Sequence, residues 1–314
     1  MRKELRATAA ILLVSGGLLM MSGCTLRRHA PAGSPSIQIT YPTRGTFLNH
    51  TKTIVTGRLV SRSEAAVTVN GWPAMVSGDR FAVNDLPLPL GLSLITAALT
   101  TADGVLQKDS VTVGVDRAER SVVEITAARR EGLAPFSPQF EVEGDLSAPV
   151  EEVSVQRIGP SPALNPATMR WDVLPVRDSL HLTAPGLYVF EASVRTKDGA
   201  TYRDRIAFHV LEAVVLEALL LERWERIWGA LLEGKIDRAL EYFAPASRDK
   251  YRRVLTELQS SRKVIHTSIE AIHLLSVRDG VAEAEVVRTE EGTTYSYPIY
   301  FVRGIDGTWQ LESL

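Results

Sequence analysis

Side chains suited to acid–base chemistry gather in the last quarter of this 314-residue chain. They are His273, Glu283, Glu285, Tyr242, Tyr251 and Tyr297. A carboxylate or imidazole becomes a catalyst when a cavity tunes its pKa and a partner lies close by. Glu283 and Glu285 alternate with small residues and therefore share one face of a predicted strand. No acid–base pair with a characteristic spacing accompanies them, so we expect surface or core residues here and no enzyme.

Other routes to chemistry lack their motifs. The sequence has no Gly-rich phosphate loop, no HExxH, no CxxC and no GxSxG. Asp-Gly pairs at Asp103, Asp198, Asp279 and Asp306 lack the alternating acidic ligands of a calcium loop and fit hairpin turns. A net charge of -2 without a long basic run gives nothing to hold polyphosphate. We therefore expect no metal, no cofactor and no nucleic-acid partner.

The single cysteine, Cys24, is informative through its position. Two arginines and a lysine lie within residues 2–6, a mostly apolar stretch covers 7–21, and small residues precede the cysteine. This layout is typical of a secretory signal peptide, here residues 1–23. The apolar stretch is interrupted by Ser-Gly-Gly and falls short of the ~20 residues that a spanning helix needs. A permanent transmembrane helix is the alternative interpretation.

The segment Met21-Ser22-Gly23-Cys24 resembles the lipobox of bacterial lipoproteins, with methionine in place of the usual leucine. The resemblance implies cleavage before Cys24, a diacylglycerol on its sulfur, an acylated (palmitate-type) amino terminus, and a membrane as one partner. Thr25 stands where lipoproteins retained in the inner membrane often have aspartate, which favours the outer membrane in a diderm cell. Residues 24–35 are predicted to form a flexible polar tether.

Residues 36–116 show short alternating runs separated by turn residues, which predicts a β-sandwich. Asn70-Gly71 is a strong signal for a tight hairpin. The segments 40–47, 67–76 and 81–104 resemble an immunoglobulin-like family seen as domain B of glucodextranase, which implies a spacer or binding platform. Trp72, beside the hairpin turn, is a speculative binding residue for a sugar or a protein; packing back onto the sheet is the alternative.

Residues 119–212 form a second strand-rich region. The segment PGLYVFEASVRTKDG (185–199) contains a turn, a tyrosine and an alternating run. Together with GLAPF (132–136) it resembles a PKD-type sandwich domain, although RWDVLP (170–175) departs from the aromatic motif of that family. Tyr188 follows the turn as in the tyrosine corner of immunoglobulin-like domains, where the hydroxyl ties the loop to the strand.

Residues 213–314 change from period two to period three and four. One helix face is marked by Leu216, Leu220, Trp224, Ile227 and Leu231. Two shorter helices and four strands are predicted to follow, which makes an α+β unit. The segments 223–255 and 295–314 resemble the nuclear-transport-factor-two-like superfamily. The expected fold is therefore two all-β immunoglobulin-like sandwiches followed by an α+β cone-shaped barrel.

The leading hypothesis is a non-enzymatic envelope lipoprotein that presents modular domains to a protein partner or an envelope polymer. One alternative is a small-molecule-binding or enzymatic C-terminal domain, which a deep polar cavity would favour and an interior filled by Leu, Ile, Phe and Trp would oppose. Another is a glycan-binding module, which requires an exposed aromatic such as Trp72. Because no Pro, Gly or Ser linker separates residues 209–212 from the first helix, we also predict a rigid junction between the second and third parts.

Overall fold

The structure is a computed structural model that describes residues 34–61, 65–101, 106–116, 122–158, 168–260, 269, 271–290 and 292–314. Strands dominate it, and several sheets face one another as sandwiches. Ser34–Leu314 is one compact unit. Within the described residues each of its three parts has a hydrophobic core of its own, and a small fourth cluster lies between the first two parts.

The first sandwich has two sheets with the orders β1-β3-β7-β6 and β2-β9-β8-β4-β5. Its strands are β1 (Ser36–Tyr41), β2 (Phe47–Leu48), β3 (Lys52–Val60), β4 (Ala65–Val69), β5 (Trp72–Pro73), β6 (Met75–Ser77), β7 (Arg80–Pro87), β8 (Gly91–Thr101) and β9 (Leu106–Val115). The alternating apolar residues of β7, β8 and β9 point inward and fill the core. Asn70 and Gly71 both have positive φ, 48° and 84°, and form the predicted hairpin turn.

The second sandwich places the sheet β10-β12-β15 against the sheet β11-β17-β16-β13-β14. Its strands are β10 (Val122–Thr126), β11 (Glu131–Leu133), β12 (Gln139–Asp145), β13 (Val150–Ile158), β14 (Met169–Trp171), β15 (Val176–Ser179), β16 (Gly186–Thr196) and β17 (Thr201–Leu211). The Tyr188 hydroxyl donates to the Ala184 carbonyl oxygen at 2.6 Å, which confirms the predicted tyrosine corner.

The third part packs three helices on the four-stranded antiparallel sheet β18-β19-β20-β21. Its elements are α1 (Ala213–Leu232), α2 (Ile236–Leu240), a short 3-10 helix (Pro245–Ser247), α3 (Arg248–Ser260), β18 (Ala271–Arg278), β19 (Val281–Glu290), β20 (Thr293–Arg303) and β21 (Trp309–Ser313). All five residues predicted to mark one face of α1 are buried. Only Glu212 separates β17 from α1.

The two sandwiches pack against each other through the outer faces of one sheet each. A small apolar cluster fills this interface and contains Ile54, Ala82, Ala207, Tyr41, Met75, Leu187 and Val189. The Arg205 guanidinium lies 4.0 Å from the centroid of the Tyr41 ring, and Arg130 forms an ion pair with Asp85. Apolar, cation–π and ionic contacts therefore join the first sandwich to the second.

The third part contacts both sandwiches. Its contact with the second sandwich includes β11 against β18 and Leu133 and Leu211 against the helical core. Its contact with the first lies at Gly307, in the turn before β21, where an added Cβ would approach the Ala66 Cβ to 3.0 Å. Gly307 also has φ +78°, so this turn requires glycine for both its conformation and its close approach.

Candidate functional site

The interior of the third part is filled by apolar side chains. The helices and the sheet bury Leu216, Leu220, Trp224, Ile227, Leu231, Phe243, Ile272, Ile299, Phe301, Trp309 and Leu311 between them. Tyr251 belongs to the same core, and its hydroxyl oxygen accepts the Leu314 backbone N–H at 2.8 Å. Tyr242 packs half-buried against the rim of this core. These two tyrosines therefore stabilise the fold of the third part.

His273, Glu283 and Glu285 lie on the opposite, outer face of the sheet, whereas Tyr297 pairs with Val286 on the core-side face, beyond the end of the core. Glu285 is the cross-strand neighbour of His273, and Glu283 lies two residues away on the same face. Glu283 accepts from the Tyr300 hydroxyl at 3.2 Å, and Glu285 accepts from the Ser296 hydroxyl at 2.5 Å. The charge of Glu283, followed by this hydrogen bond, raises the pKa of Tyr300. His273 is exposed on β18 as expected, and the candidates do not converge on one cavity.

The end of the β19–β20 hairpin is a two-sided ribbon. Residues 293–298 of β20 are all exposed, although they pair with residues 285–290 of β19. Tyr295 and Tyr297 stack side by side on one face, with ring centroids 6.4 Å apart, and are 42% and 49% exposed. Tyr300 lies on the other face and is 37% exposed. We call residues 285–290 and 293–300 the tyrosine ribbon.

The edge of the tyrosine ribbon away from β19 contains a proline. Pro298 pairs with Glu285 of β19, and because proline has no N–H this must be a non-hydrogen-bonded pair. The Pro298 nitrogen therefore faces away from β19. On that side, β21 pairs with β20 only from Tyr300 to Arg303.

The first sandwich exposes an apolar surface at the end that carries β2 and the start of β8. Phe47, Leu90, Leu92 and Leu94 are 80%, 60%, 82% and 60% exposed, and we call them the apolar patch. Leu92 and Phe47 are both neighbours of Gly114 on β9, and the Phe47 ring lies directly over Gly114. A Cβ at Gly114 would lie 2.6 Å from that ring, so glycine is what lets the aromatic side chain lie flat.

Trp72, the speculative binding residue, lies on the short strand β5 opposite Val69 and is 52% exposed. About half of the Trp72 side chain is therefore accessible to a ligand, and the other half packs against the protein. This exposure is intermediate between the binding and the packing interpretations of the sequence. No other aromatic ring is paired with it among the contacts of the described residues.

A buried ion cluster joins the second sandwich to the third part. Glu131 on β11 is 2% exposed and contacts three groups: His209 Nδ1 at 2.9 Å, the Gly280 backbone N–H at 3.2 Å, and the Arg303 guanidinium. Burial alone would raise the pKa of Glu131, but the hydrogen bond from His209 and the charge of Arg303 lower it to about 2. The carboxylate is therefore ionised and fully hydrogen-bonded.

Sequence reasoning missed this cluster. The residues Glu131 and Arg303 are separated by 172 positions, so no local pattern connects them. One local signal exists, because His209 lies between the apolar residues Phe208 and Val210 of a strand buried along most of its second half. A polar residue in such a run requires a partner.

A polar cleft of about 330 Å³ lies between the two sandwiches. Its lining carries both signs of charge. The positive groups are Lys52 and Arg205, and the negative groups are Asp85, Glu124 and Asp204. Burial raises the pKa of Asp204, although the carboxylate accepts the Ile125 N–H at 2.9 Å. The cleft therefore lacks the single sign of charge that would select an ionic ligand.

The remaining predictions concern a metal and the membrane. Within the described residues, no group of three or more His, Cys, Asp or Glu side chains is placed to hold a metal ion. In that same part of the chain no helix is long and apolar enough to cross a membrane. Cys24, the signal peptide at 1–23, most of the tether and Asp103 lie outside the described residues.

No protein-family model and no curated protein matches the chain. Solved structures give weak likenesses. Fibronectin(III)-like modules of CbhA from Clostridium thermocellum match with 12% identity over 57% of this chain and 96% of theirs, at a TM-score of 0.25. A tetra-tandem repeat from the extending region of a large adhesion protein matches with 11% identity over 90% of this chain and 73% of its own, at 0.23. Latent PorU of Porphyromonas gingivalis matches with 10% identity over 57% of this chain and 20% of its own, at 0.30. TM-scores this low do not define the fold, which follows from the strands and hydrophobic cores of this chain itself.

Proposed function

We propose that this chain is a non-enzymatic bacterial envelope lipoprotein that is anchored through Cys24 and binds a protein partner with its tyrosine ribbon. The observation that carries the proposal is the exposure of Tyr295, Tyr297 and Tyr300 on both faces of that ribbon. Tyrosine is enriched in protein interfaces because it offers a large, rigid contact area together with a hydroxyl group. Exposed tyrosines on one hairpin are thus suited to act as anchors of an interface.

The rest of the third part supports binding at the surface. Its interior is occupied by leucine, isoleucine, phenylalanine and tryptophan side chains, which is the arrangement that opposes the small-molecule or enzymatic alternative. His273, Glu283 and Glu285 lie on the open outer face of the sheet and not in an enclosed cavity. The helices and antiparallel sheet of this part support the nuclear-transport-factor-two-like assignment, and the two sandwiches support the immunoglobulin-like and PKD-like ones.

Anchoring rests on residues 21–24 and their resemblance to a lipobox. In a diderm cell, Thr25 favours the outer membrane. We expect radiolabelled palmitate to enter the wild-type chain and not the Cys24→Ala variant, and mass spectrometry to find the mature chain starting at Cys24. Wild-type protein that keeps residues 1–23 and takes up no label would contradict the anchor.

Partner binding is tested by crosslinking in intact cells, followed by capture of the tagged lipoprotein. The test variant carries Tyr295→Ser, Tyr297→Ser and Tyr300→Ser, and the matched control carries Trp72→Ser, a change of another half-exposed aromatic residue. We expect a specific protein to be captured by the wild type and the control and lost from the tyrosine variant. Identical capture by all three would overturn the role of the ribbon. Loss from the Trp72 variant alone would assign binding to the first sandwich.

A further inference from the structure

We infer that the apolar patch of the first sandwich docks on the lipid bilayer to which the chain is anchored. The inference uses the anchor at Cys24 and so rests on the proposed function, but it concerns a different surface from the tyrosine ribbon. The patch consists of Phe47, Leu90, Leu92 and Leu94, all at least 60% exposed. The largest exposed apolar patch on a protein surface is often functional.

The composition of the surrounding surface fits a membrane interface. Next to the patch, the outer face of β8 and β9 presents the hydroxyl side chains of Thr96, Ser110 and Thr112. Lys108 follows further along the same face, and the Arg44 guanidinium lies 3.5 Å from the Ser110 carbonyl oxygen. The face therefore changes from apolar to hydroxyl-bearing to cationic. Hydroxyl and cationic groups beside an apolar patch fit contact with the interfacial region and anionic head groups of a bilayer.

One acidic residue lies at the margin. Asp116 follows Gly114 past the end of β9, and its backbone N–H donates to the Leu48 carbonyl oxygen at 2.9 Å. It lies two residues beyond Gly114, at the end of the patch away from Lys108.

The size of the patch favours a bilayer over a protein partner. Four side chains expose on the order of a few hundred Å², whereas a stable protein complex buries about 800 Å² on each side. Such a patch binds weakly by itself. On a lipid-anchored chain, weak contact suffices because the anchor keeps the patch at a high effective concentration near the membrane.

The length of chain between the anchor and the first strand allows this contact. From Cys24 to Ser36 an extended chain spans about 40 Å. Ser36 lies at the opposite end of the first sandwich from the patch, and β9, which runs between these ends from Leu106 to Val115, is about 30 Å long. This length of chain is therefore sufficient for the patch to reach the membrane surface at the anchor.

The test exploits the single cysteine of the chain. Residues 24–314, which retain the whole compact unit, are coupled through Cys24 to phosphatidylethanolamine–phosphatidylglycerol vesicles that contain a maleimide lipid and brominated acyl chains. Leu92→Trp places a fluorophore in the patch. Leu232→Trp, at a residue 65% exposed at the end of α1, is the matched control. Thermal unfolding of both variants verifies that they fold like the parent.

We expect bromine to quench the fluorescence of the tryptophan introduced by Leu92→Trp about twofold more than that of the tryptophan introduced by Leu232→Trp. The reason is that only the first tryptophan lies among acyl chains. Equal quenching in the two attached proteins overturns the inference. Absent quenching at Leu92, combined with loss of a captured protein from cells carrying Leu92→Asp, assigns the patch to a protein and also overturns it. Chemical coupling bypasses natural lipidation and the ribbon is unchanged, so failure here is distinguishable from failure of the proposed function.

Discussion

Asn84 and Ala207 exchange two hydrogen bonds across the interface between the sandwiches. The Asn84 Nδ2 donates to the Ala207 carbonyl oxygen at 2.9 Å, and the Ala207 N–H donates to Asn84 Oδ1 at 2.8 Å. Ala207 lies on β17, whose outer edge is paired with β11 only from His209 to Leu211. The side-chain amide thus replaces a neighbouring strand at the position where the sheet has none, and one sandwich completes the backbone hydrogen bonding of the other.

Replacing Asn84 by alanine removes both bonds and leaves a buried N–H and C=O of Ala207 without partners. We expect Asn84→Ala to lower the free energy of unfolding by about 2 kcal/mol. Urea titration followed by tryptophan fluorescence measures the change. Gln107→Ala, at an exposed residue of the same sandwich, is the control and should change the free energy by less than about 0.5 kcal/mol. Equal effects of the two changes would contradict the role of Asn84.

The ion pair between Glu131 and Arg303 predicts a larger effect. Glu131→Gln keeps the shape but leaves the Arg303 charge, 12% exposed, without its counterion. We expect a loss of about 3 kcal/mol in unfolding free energy. Glu141→Gln breaks the ion pair with Arg177, whose side chain is 74% exposed, and should cost less than about 1 kcal/mol. If both glutamate variants unfold at the same urea concentration, the buried cluster does not stabilise the junction.

The lowered pKa of Glu131 predicts a pH dependence. The folded pKa of about 2 lies below the ordinary value of 4.5, so the folded state favours the ionised form. Its contribution, about 3 kcal/mol, is complete above about pH 4.5 and is lost as the pH falls toward 2. The wild type should therefore lose more stability between pH 5 and about pH 3 than Glu131→Gln does. Parallel stability curves for the two proteins over this interval would refute the assignment.

The tyrosine corner of the second sandwich gives a local prediction. Tyr188→Phe removes the hydroxyl that donates to Ala184 and should reduce the free energy of unfolding by about 1 kcal/mol. Tyr295→Phe, an identical chemical change at an exposed ring, should have almost no effect on stability. Thermal unfolding by circular dichroism compares the two. An unchanged midpoint for Tyr188→Phe would show that water replaces the lost bond.

Local patterns identified the features that depend on neighbouring residues. The apolar face of α1 follows from helical periodicity, the turn at Asn70-Gly71 from tolerance of positive φ, and the bond of Tyr188 from a contact four residues back. Each of these requires only a short stretch of chain, and each is present in the structure.

Contacts between the parts escaped sequence reasoning because they join distant residues. Asn84 and Ala207 are 123 positions apart, and each is unremarkable within its own strand. The apolar patch illustrates a second reason. Leu92 and Leu94 flank Ser93, whose side chain is buried, so the Leu-Ser-Leu alternation suggests the opposite of the observed faces. The sequence therefore predicts strands at this position but not the exposed surface that they form.

The proline of the tyrosine ribbon has a consequence for contacts between neighbouring copies of the chain. Open strand edges of neighbouring copies tend to pair through their backbones and to grow into sheets. Pro298 offers no N–H on the open side of β20, so a strand added there loses its hydrogen bond at that residue. Pairing between neighbouring copies along this edge is thereby disfavoured, although the rings of Tyr295 and Tyr297 are exposed beside it.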